Sequence, residues 1–177
     1  MNCKKLNTTF NVSDINLLEE YIRYGQDVDG KFRGISYSNF TANDTVQFFM
    51  LIPKHHRDKF SVSLMQVNGS IPPHTDSGVS AVVNFYVNTN NCTTQFYEFK
   101  DSDTGAFQVG NQTNGFVFDA DKLTATDSFQ AEPGDVWILD VSKPHAVIEP
   151  SLAESPRMAI CLSTNAFSYQ ELVDLLA

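Results

Sequence analysis

The sequence predicts a mainly β domain, a sandwich or barrel of short strands supported by helices near both ends. Aromatic residues make up 12% of the chain and include 14 Phe, which favours a core built from sheets. Short β-branched and aromatic segments follow one another between residues 60 and 163, and Gly, Pro, Asn and Asp separate them. Segments with helical patterns lie on either side of this region, as expected for a sheet core with terminal helices.

Three segments have helical character. Residues 13–24 begin with a serine suited to an N-cap and repeat apolar residues on one face, which predicts a helix. Residues 44–52 are ambiguous, and we interpret them as a short helix that ends before a proline. Residues 168–177 carry a capping box ahead of an apolar run and predict a closing helix.

The strand predictions come from period-2 patterns bounded by turn residues. The predicted strands are 60–67, 79–87, 94–100, 115–118, 135–141, 145–149 and 157–163. The long polar stretch 101–131 predicts loop and hairpin over one face of the sheets. The chain of 177 residues fits a single domain, 1–177, with a motif-bearing core at about 60–163.

Charge and cysteine usage argue against several classes of protein. A net charge of −9 disfavours a nucleic-acid partner, and the one basic cluster, 54–59, is interpreted as a solvated turn. The sequence has no apolar run long enough to span a membrane and no secretory signal at its start. Cys3, Cys92 and Cys161 are far apart, which argues against a disulfide framework or a zinc site and favours a reducing cytoplasm.

His74 and Asp76, in the segment PPHTDSG, form the first candidate metal-binding pair. Alternate side chains of an extended segment share a face, so both residues can point at one ion. Taken alone, however, the His-x-Asp pattern favours a turn in which Asp76 accepts backbone hydrogen bonds.

His145 changes this balance, although 68 residues separate it from Asp76 and only the tertiary fold can bring them together. Two histidines and one carboxylate on one side of a metal leave the opposite positions open, which suits iron(II). Zinc hydrolysis can use a similar set, but no HExxH motif supports it. A structural histidine remains the alternative for His145.

Arg157 begins the segment RMAICLS, where alternation puts it on one face with Ala159, Cys161 and Ser163. A cation at the head of a face of small residues indicates a cavity. A buried arginine needs an anionic partner, and a ligand carboxylate would provide one. An exposed arginine paired with an acidic residue, Glu149 or Glu154, is an equal alternative.

The ordered set His74-x-Asp76, His145 and Arg157 resembles the Fe(II)/2-oxoglutarate-dependent oxygenase superfamily. The similarity covers residues 64–163, through PPHTD, NFYVN, QFYEF, PGDVWILDVSKPHAV and RMAICLS. It is closest to the prolyl 4-hydroxylase-like and the aspartyl/asparaginyl β-hydroxylase-like groups. The sequence departs from some branches by having Ala159 two residues after the arginine. It also lacks the second downstream arginine of the nucleic-acid demethylases, which argues against a repair role.

The resemblance implies a double-stranded β-helix, that is, a jelly-roll or cupin-like core, with Fe(II), 2-oxoglutarate and O2 as cofactor and cosubstrates. His74, Asp76 and His145 would be the catalytic metal ligands. Arg157 would bind the distal carboxylate of 2-oxoglutarate. Tyr86 would hydrogen-bond the same carboxylate, or else be a core aromatic residue. Alternation predicts Asn84 beside Tyr86, and Asn84 and Gln66 are further candidates for the pocket wall, with structural hydrogen bonding as the alternative.

The expected activity is hydroxylation of a C–H bond in an amino acid, peptide side chain or small metabolite, with release of succinate and CO2. Substrate selection would fall to loops 25–45, 68–73 and 101–131; Arg33, Tyr37 and Asn39 lie in the first of them. Two alternatives remain: a non-catalytic jelly-roll binding module, and a cupin-like metalloenzyme that does not use 2-oxoglutarate.

Overall fold

Two six-stranded antiparallel sheets contain more than half of the residues that the computed structural model describes. The structure describes residues 1–11, 35–39, 46–76, 78–100, 107–109, 115–149 and 156–177. The helix predicted over 13–24 lies outside these residues. The strands are Cys3–Thr9 (β1), Ile35–Asn39 (β2), Ser61–Val67 (β3), Ile71–Thr75 (β4), Ala81–Asn88 (β5), Thr93–Phe99 (β6), Phe107–Val109 (β7), Gly115–Val117 (β8), Leu123–Gln130 (β9), Asp135–Leu139 (β10), His145–Ile148 (β11) and Arg157–Thr164 (β12).

The strand order in one sheet is β1-β10-β5-β12-β3-β2, and in the other it is β7-β8-β4-β11-β6-β9. Strands that are adjacent in space are mostly distant in sequence, and the chain crosses between the sheets repeatedly. This is a jelly roll, or double-stranded β-helix, so the predicted fold class is confirmed. All seven predicted strands occur, with ends within two residues of those expected.

Five further strands were not predicted: β1, β2, β4, β7 and β9. The strand β9 lies within the stretch 101–131, which we expected to be loop and hairpin, and that expectation was wrong for this part. Both β1 and β9 are sheet edges with largely exposed polar side chains. An edge strand needs few apolar residues, so it carries a weak period-2 signal.

The described helices are short. Val46–Phe49 (α1) confirms the helix expected in 44–52, and residues Lys54–Lys59 form a 3-10 helix where a solvated turn was predicted. Tyr169–Leu176 (α2) is the expected closing helix, and its capping box is formed: the amide of Ser168 donates to Glu171 Oε2 at 2.8 Å. In the described part of the chain, no helix has the length and apolar character needed to cross a membrane.

The central strands β5 and β12 are buried on both faces. Their outward side chains belong to one apolar cluster, which Phe48 of α1 and Leu172 of α2 cover. In β5 this face carries Val83, Phe85 and Val87, as predicted by alternation. Their inward side chains face the second sheet, and there the polar residues of the candidate site lie.

Candidate metal centre and anion pocket

Two strands of the second sheet bring the predicted metal ligands together. His74, near the end of β4, pairs directly with His145, the first residue of β11. The centroids of the two imidazole rings are 4.2 Å apart. Asp76 follows β4, and its Oδ1 lies 3.6 Å from His74 Nε2. One ligand atom from each residue lies within 4.8 Å of the others, so the three residues form a group that could hold a metal ion.

Backbone carbonyls orient both imidazole rings. The Nδ1–H of His74 donates to the carbonyl of Pro72 at 2.9 Å, and that of His145 donates to the carbonyl of Lys143 at 3.0 Å. A carbonyl oxygen only accepts, so each Nδ1 carries the proton and each Nε2 is left as an electron-pair donor. This is the arrangement usual for histidine ligands of metals.

Burial also favours the protonation state that binds metal. Burial is the main cause that lowers the pKa of His74 well below its ordinary value, and the nearby His145 adds to this effect. The imidazole is therefore neutral over a wider range of pH, as metal coordination requires. Burial raises the pKa of Asp76, which His145 partly opposes. The Asp76 side chain is 33% exposed, and a cation between these residues would offset the cost of its partial desolvation.

Arg157 lies deeper in the same cavity and is 3% exposed, so it is not an exposed residue paired with Glu149. Its Nη2 donates to Tyr86 Oη at 3.0 Å and to Thr94 Oγ1 at 2.8 Å. Its Nε and Nη1 are buried and have no hydrogen-bond partner among the described residues. No carboxylate in the described part of the chain forms an ion pair with it, so its charge has no counterion there.

Asn84 and Tyr86 face the cavity from β5, on the side predicted by alternation. Tyr86 is fully buried, and Asn84 Nδ2 lies 3.3 Å from Tyr86 Oη as a donor. The Oδ1 of Asn84 has no partner in the described structure. The cavity therefore contains unmet donors on Arg157 and an unmet polar atom on Asn84.

Gln66 does not line the cavity, and its prediction as a pocket-wall residue was wrong. Its neighbours Met65 and Val67 do line it, and they pair with Ala159 and Arg157 across the β3–β12 ladder. Adjacent side chains of a strand point to opposite faces, so Gln66 lies on the other side of the sheet. The register of β3 against β12 cannot be read from the sequence, so the side on which Gln66 lies could not be predicted.

Thr94, by contrast, was missed by the sequence analysis. It lies on β6 in the second sheet and reaches Arg157 across the sandwich. Its segment, TTQFYEF, reads as an ordinary strand with two threonines at its start. Only the facing of the two sheets identifies which threonine meets the arginine.

The loop predictions have mixed outcomes. Tyr37 and Asn39 belong to strand β2 instead of a loop, while Arg33 lies outside the described residues. Residues 68–70 lie directly before β4 and residues 71–73 belong to it, so part of this segment is in the sheet. These segments were expected to be loops over the mouth of the barrel, and they carry no sequence signature of their own.

The three potential metal ligands and Arg157 line one cavity of about 60 Å³. Apolar side chains form much of the wall between them; they include Val82, Leu139, Val141 and Val147. The cavity therefore has three potential metal ligands in one part and the buried guanidinium in another, with apolar side chains between them.

No protein-family model and no curated protein matches this chain. Among solved structures, the chain is similar to the epimerase SnoN in complex with Fe3+, alpha ketoglutarate and nogalamycin RO. The identity is 11%, the match covers 92% of this chain and 78% of SnoN, and the TM-score is 0.58. At this identity the similarity shows the jelly-roll fold alone.

Weaker similarities include E. coli ycfD, at 15% identity over 89% of this chain and 39% of that protein, with a TM-score of 0.49. Hazelnut vicilin is 13% identical over 82% of this chain, with a TM-score of 0.44. This chain spans about a third of the vicilin, 32% of its length.

Proposed function

We propose that this chain is an Fe(II)- and 2-oxoglutarate-dependent oxygenase that hydroxylates a C–H bond of an amino acid, a peptide side chain or another small metabolite. The observation that carries the proposal is the buried guanidinium of Arg157, which has unmet donors and opens into the cavity of the His74, Asp76 and His145 group. A structural arginine would be satisfied by its own chain.

The donor set fits iron(II). Two imidazole nitrogens and one carboxylate oxygen are the ligands of the facial triad, which leaves coordination positions for a cosubstrate and dioxygen. The carbonyls that hold both rings fix their orientation, and one ligand atom of each of the three residues lies within 4.8 Å of the others. His74, Asp76 and His145 would hold the metal, and the burial of the two histidines limits the access of water.

The far end of the cavity fits a carboxylate. Tyr86 and Thr94 fix the guanidinium through Nη2, and Nε and Nη1 remain to donate to an anion. Charge-assisted hydrogen bonds of this kind are stronger than neutral ones. Arg157 would bind the distal carboxylate of 2-oxoglutarate, and Tyr86 and Asn84 would support the same molecule.

When bound, iron(II) and 2-oxoglutarate would supply the oxidation of the C–H bond by dioxygen, with release of succinate and CO2. The protein's own residues have other tasks. Arg157 neutralises the cosubstrate, Tyr86 and Thr94 orient the arginine, and the apolar wall keeps the passage dry. The iron and alpha ketoglutarate named with SnoN support the compatibility of this fold with such cofactors.

An anaerobic titration of metal-free protein with iron(II), followed by 2-oxoglutarate, tests the proposal. We expect a weak visible charge-transfer band from the chelate. The band should be absent in His145→Ala and present in His55→Ala, which removes an exposed histidine outside the cavity. No metal binding, or a metal site that does not respond to 2-oxoglutarate, would refute the proposal.

The same titration separates the two alternatives. A non-catalytic binding module would give no iron-dependent signal. A cupin-like metalloenzyme of another kind would bind iron through the same three residues but would give no band with 2-oxoglutarate. The buried Arg157 with its unmet donors supports the oxygenase, because it provides a partner for the distal carboxylate of 2-oxoglutarate in the metal cavity.

A further inference from the structure

A second depression adjoins the metal cavity at the end of β12 that is distant from Arg157. Its volume is about 310 Å³, against about 60 Å³ for the enclosed cavity. Ser163 of β12 lines both spaces. Gly78, two residues after the metal ligand Asp76, lines the depression as well. We call this depression the outer cleft.

Ser163 is the junction between the two spaces. On β12 it lies on the cavity face with Arg157 and Cys161, at the other end of the strand from Arg157. No hydrogen bond of its hydroxyl is found within the described residues, and its backbone carbonyl accepts one from Ser61 Oγ at 3.5 Å. A molecule that extends from the outer cleft to the metal ligands must therefore pass this free hydroxyl.

The relative volumes indicate what each space can hold. In the proposed enzyme, the enclosed cavity has to accommodate the cosubstrate between the metal and Arg157. Little of its volume then remains for a substrate. The larger outer cleft is in the size range of small-molecule sites, so the bulk of the substrate would lie there.

The polar groups of the outer cleft include both signs of charge. Asp58 and Lys59 are adjacent and both line it. The carbonyl of Lys59 accepts a hydrogen bond from Thr164 Oγ1 at 2.9 Å, which ties this segment to the end of β12. The Lys59 ammonium lies 5.0 Å from the centroid of the Phe167 ring, a cation–π contact that keeps the side chain close to the protein.

We propose that the substrate of this chain is a small zwitterion of the free amino-acid class, bound by its head group in the outer cleft. This inference rests on the proposed function. The carboxylate of the ligand would pair with Lys59, and its ammonium group with Asp58. Its side chain would pass Ser163 towards the metal ligands. Ser163 then acts as a specificity residue, because its size and hydroxyl limit what reaches the reacting position.

Saturation-transfer NMR on the full chain with zinc(II), a diamagnetic replacement for iron, tests the binding step. The probes are the twenty free L-amino acids, each followed by analogues that lack either the amino or the carboxylate group. We expect at least one amino acid to bind, and its analogues to bind at least tenfold more weakly. The NMR experiment measures binding to the outer cleft without 2-oxoglutarate. Absence of amino-acid binding would therefore contradict the substrate proposal, whereas absence of the chelate band would contradict the proposed function.

Two substitutions test whether Lys59 and Asp58 bind the charged groups of the amino acid, and a third substitution at another lysine is the control for a general effect of surface charge. Lys59→Gln and Asp58→Asn should each weaken the binding of the amino acid at least tenfold. Lys54→Gln changes a lysine of the same 3-10 helix that does not line the cleft, and it should leave the affinity unchanged. Equal loss in Lys54→Gln and Lys59→Gln would overturn the assignment.

Ser163→Phe tests the junction, with far-ultraviolet circular dichroism and thermal unfolding as measures of intact structure. We expect both to match the wild type and amino-acid-stimulated succinate release to fall at least tenfold. The proposal is overturned if no free amino acid binds, if peptides with blocked termini bind equally well, or if Ser163→Phe retains full stimulated turnover.

Discussion

Two buried charges in the same sheet have opposite surroundings. Asp135 on β10 is 6% exposed, and its carboxylate is fully engaged by the chain. Lys5 Nζ lies 2.6 Å from Oδ1, and the Glu132 amide and Trp137 Nε1 donate to Oδ2 at 3.0 and 3.4 Å. Every partner that this carboxylate needs is supplied within the fold.

Arg157 on β12 is similarly buried, but within the described part of the chain only one of its three guanidinium nitrogens has hydrogen-bond partners. A buried charge without partners is costly, and the chain does not offset the cost in the described structure. Burial alone therefore does not identify a charged residue as functional. The complete set of contacts around Asp135 is structural, whereas the incomplete set around Arg157 is suited to a ligand.

The largest expected effect comes from Arg157→Met, which should separate binding from stability. Affinity for 2-oxoglutarate should fall at least about 30-fold, because truncating one member of a buried charge pair costs about 2–5 kcal/mol. Iron(II) should still bind. The free energy of unfolding of the metal-free protein should be unchanged or higher, because an uncompensated buried charge is removed.

Titration of the visible band and urea denaturation measure the two quantities for Arg157→Met. Arg57→Met, which removes a cation outside the cavity, is the control and should leave the affinity unchanged. A large loss of stability with unchanged affinity for 2-oxoglutarate would show that Arg157 is structural, like Asp135.

Asp135→Asn should show the reverse pattern. Loss of the ion pair with Lys5 should lower the free energy of unfolding by about 1–3 kcal/mol, the usual cost of a buried polar group left without its partner. Binding of iron and 2-oxoglutarate should not change. Urea denaturation measures the effect, and Asp119→Asn, at an exposed position, should change stability by less than about 0.5 kcal/mol.

The contribution of Asp135 should also depend on pH. Burial raises the pKa of this carboxyl, but hydrogen bonds from Lys5, the Glu132 amide and Trp137 outweigh burial and lower it overall. A lowered pKa in the folded state stabilises the fold above the unfolded value of about 3.9 and loses that effect as pH falls through the folded value. The difference between wild type and Asp135→Asn should shrink below pH ~4; a constant difference would contradict the prediction.

Tyr86→Phe should have the smallest effect, since it removes one hydroxyl and keeps the ring beside the guanidinium. A single hydrogen bond is worth about 0.5–1.5 kcal/mol, so affinity for 2-oxoglutarate should fall about 2- to 12-fold. Tyr97→Phe, outside the cavity, is the matched control for the same titration. An effect as large as that of Arg157→Met would mean that Tyr86 has a larger role than orienting the arginine.

Local sequence patterns were sufficient for much of the fold. The predicted strands, the closing helix and its capping box depend on contacts within a few residues, and these contacts are visible as hydrophobic periodicity and turn residues in the sequence. Strands β1 and β9 were not predicted because edge strands with polar exposed faces lack a clear period-2 pattern. The sequence analysis also grouped His74, Asp76, His145 and Arg157, although their proximity could be inferred only through a resemblance.

The sequence by itself determined which residues alternate along each strand, and therefore that Tyr86 shares a face with Asn84 and Arg157 with Cys161. Only the tertiary structure decided which faces meet. The register of β3 against β12 turned Gln66 away from the cavity, and the facing of the two sheets brought Thr94 to Arg157. The physical reason is that alternation is a property of one strand, whereas register and sheet packing depend on side chains distant in sequence.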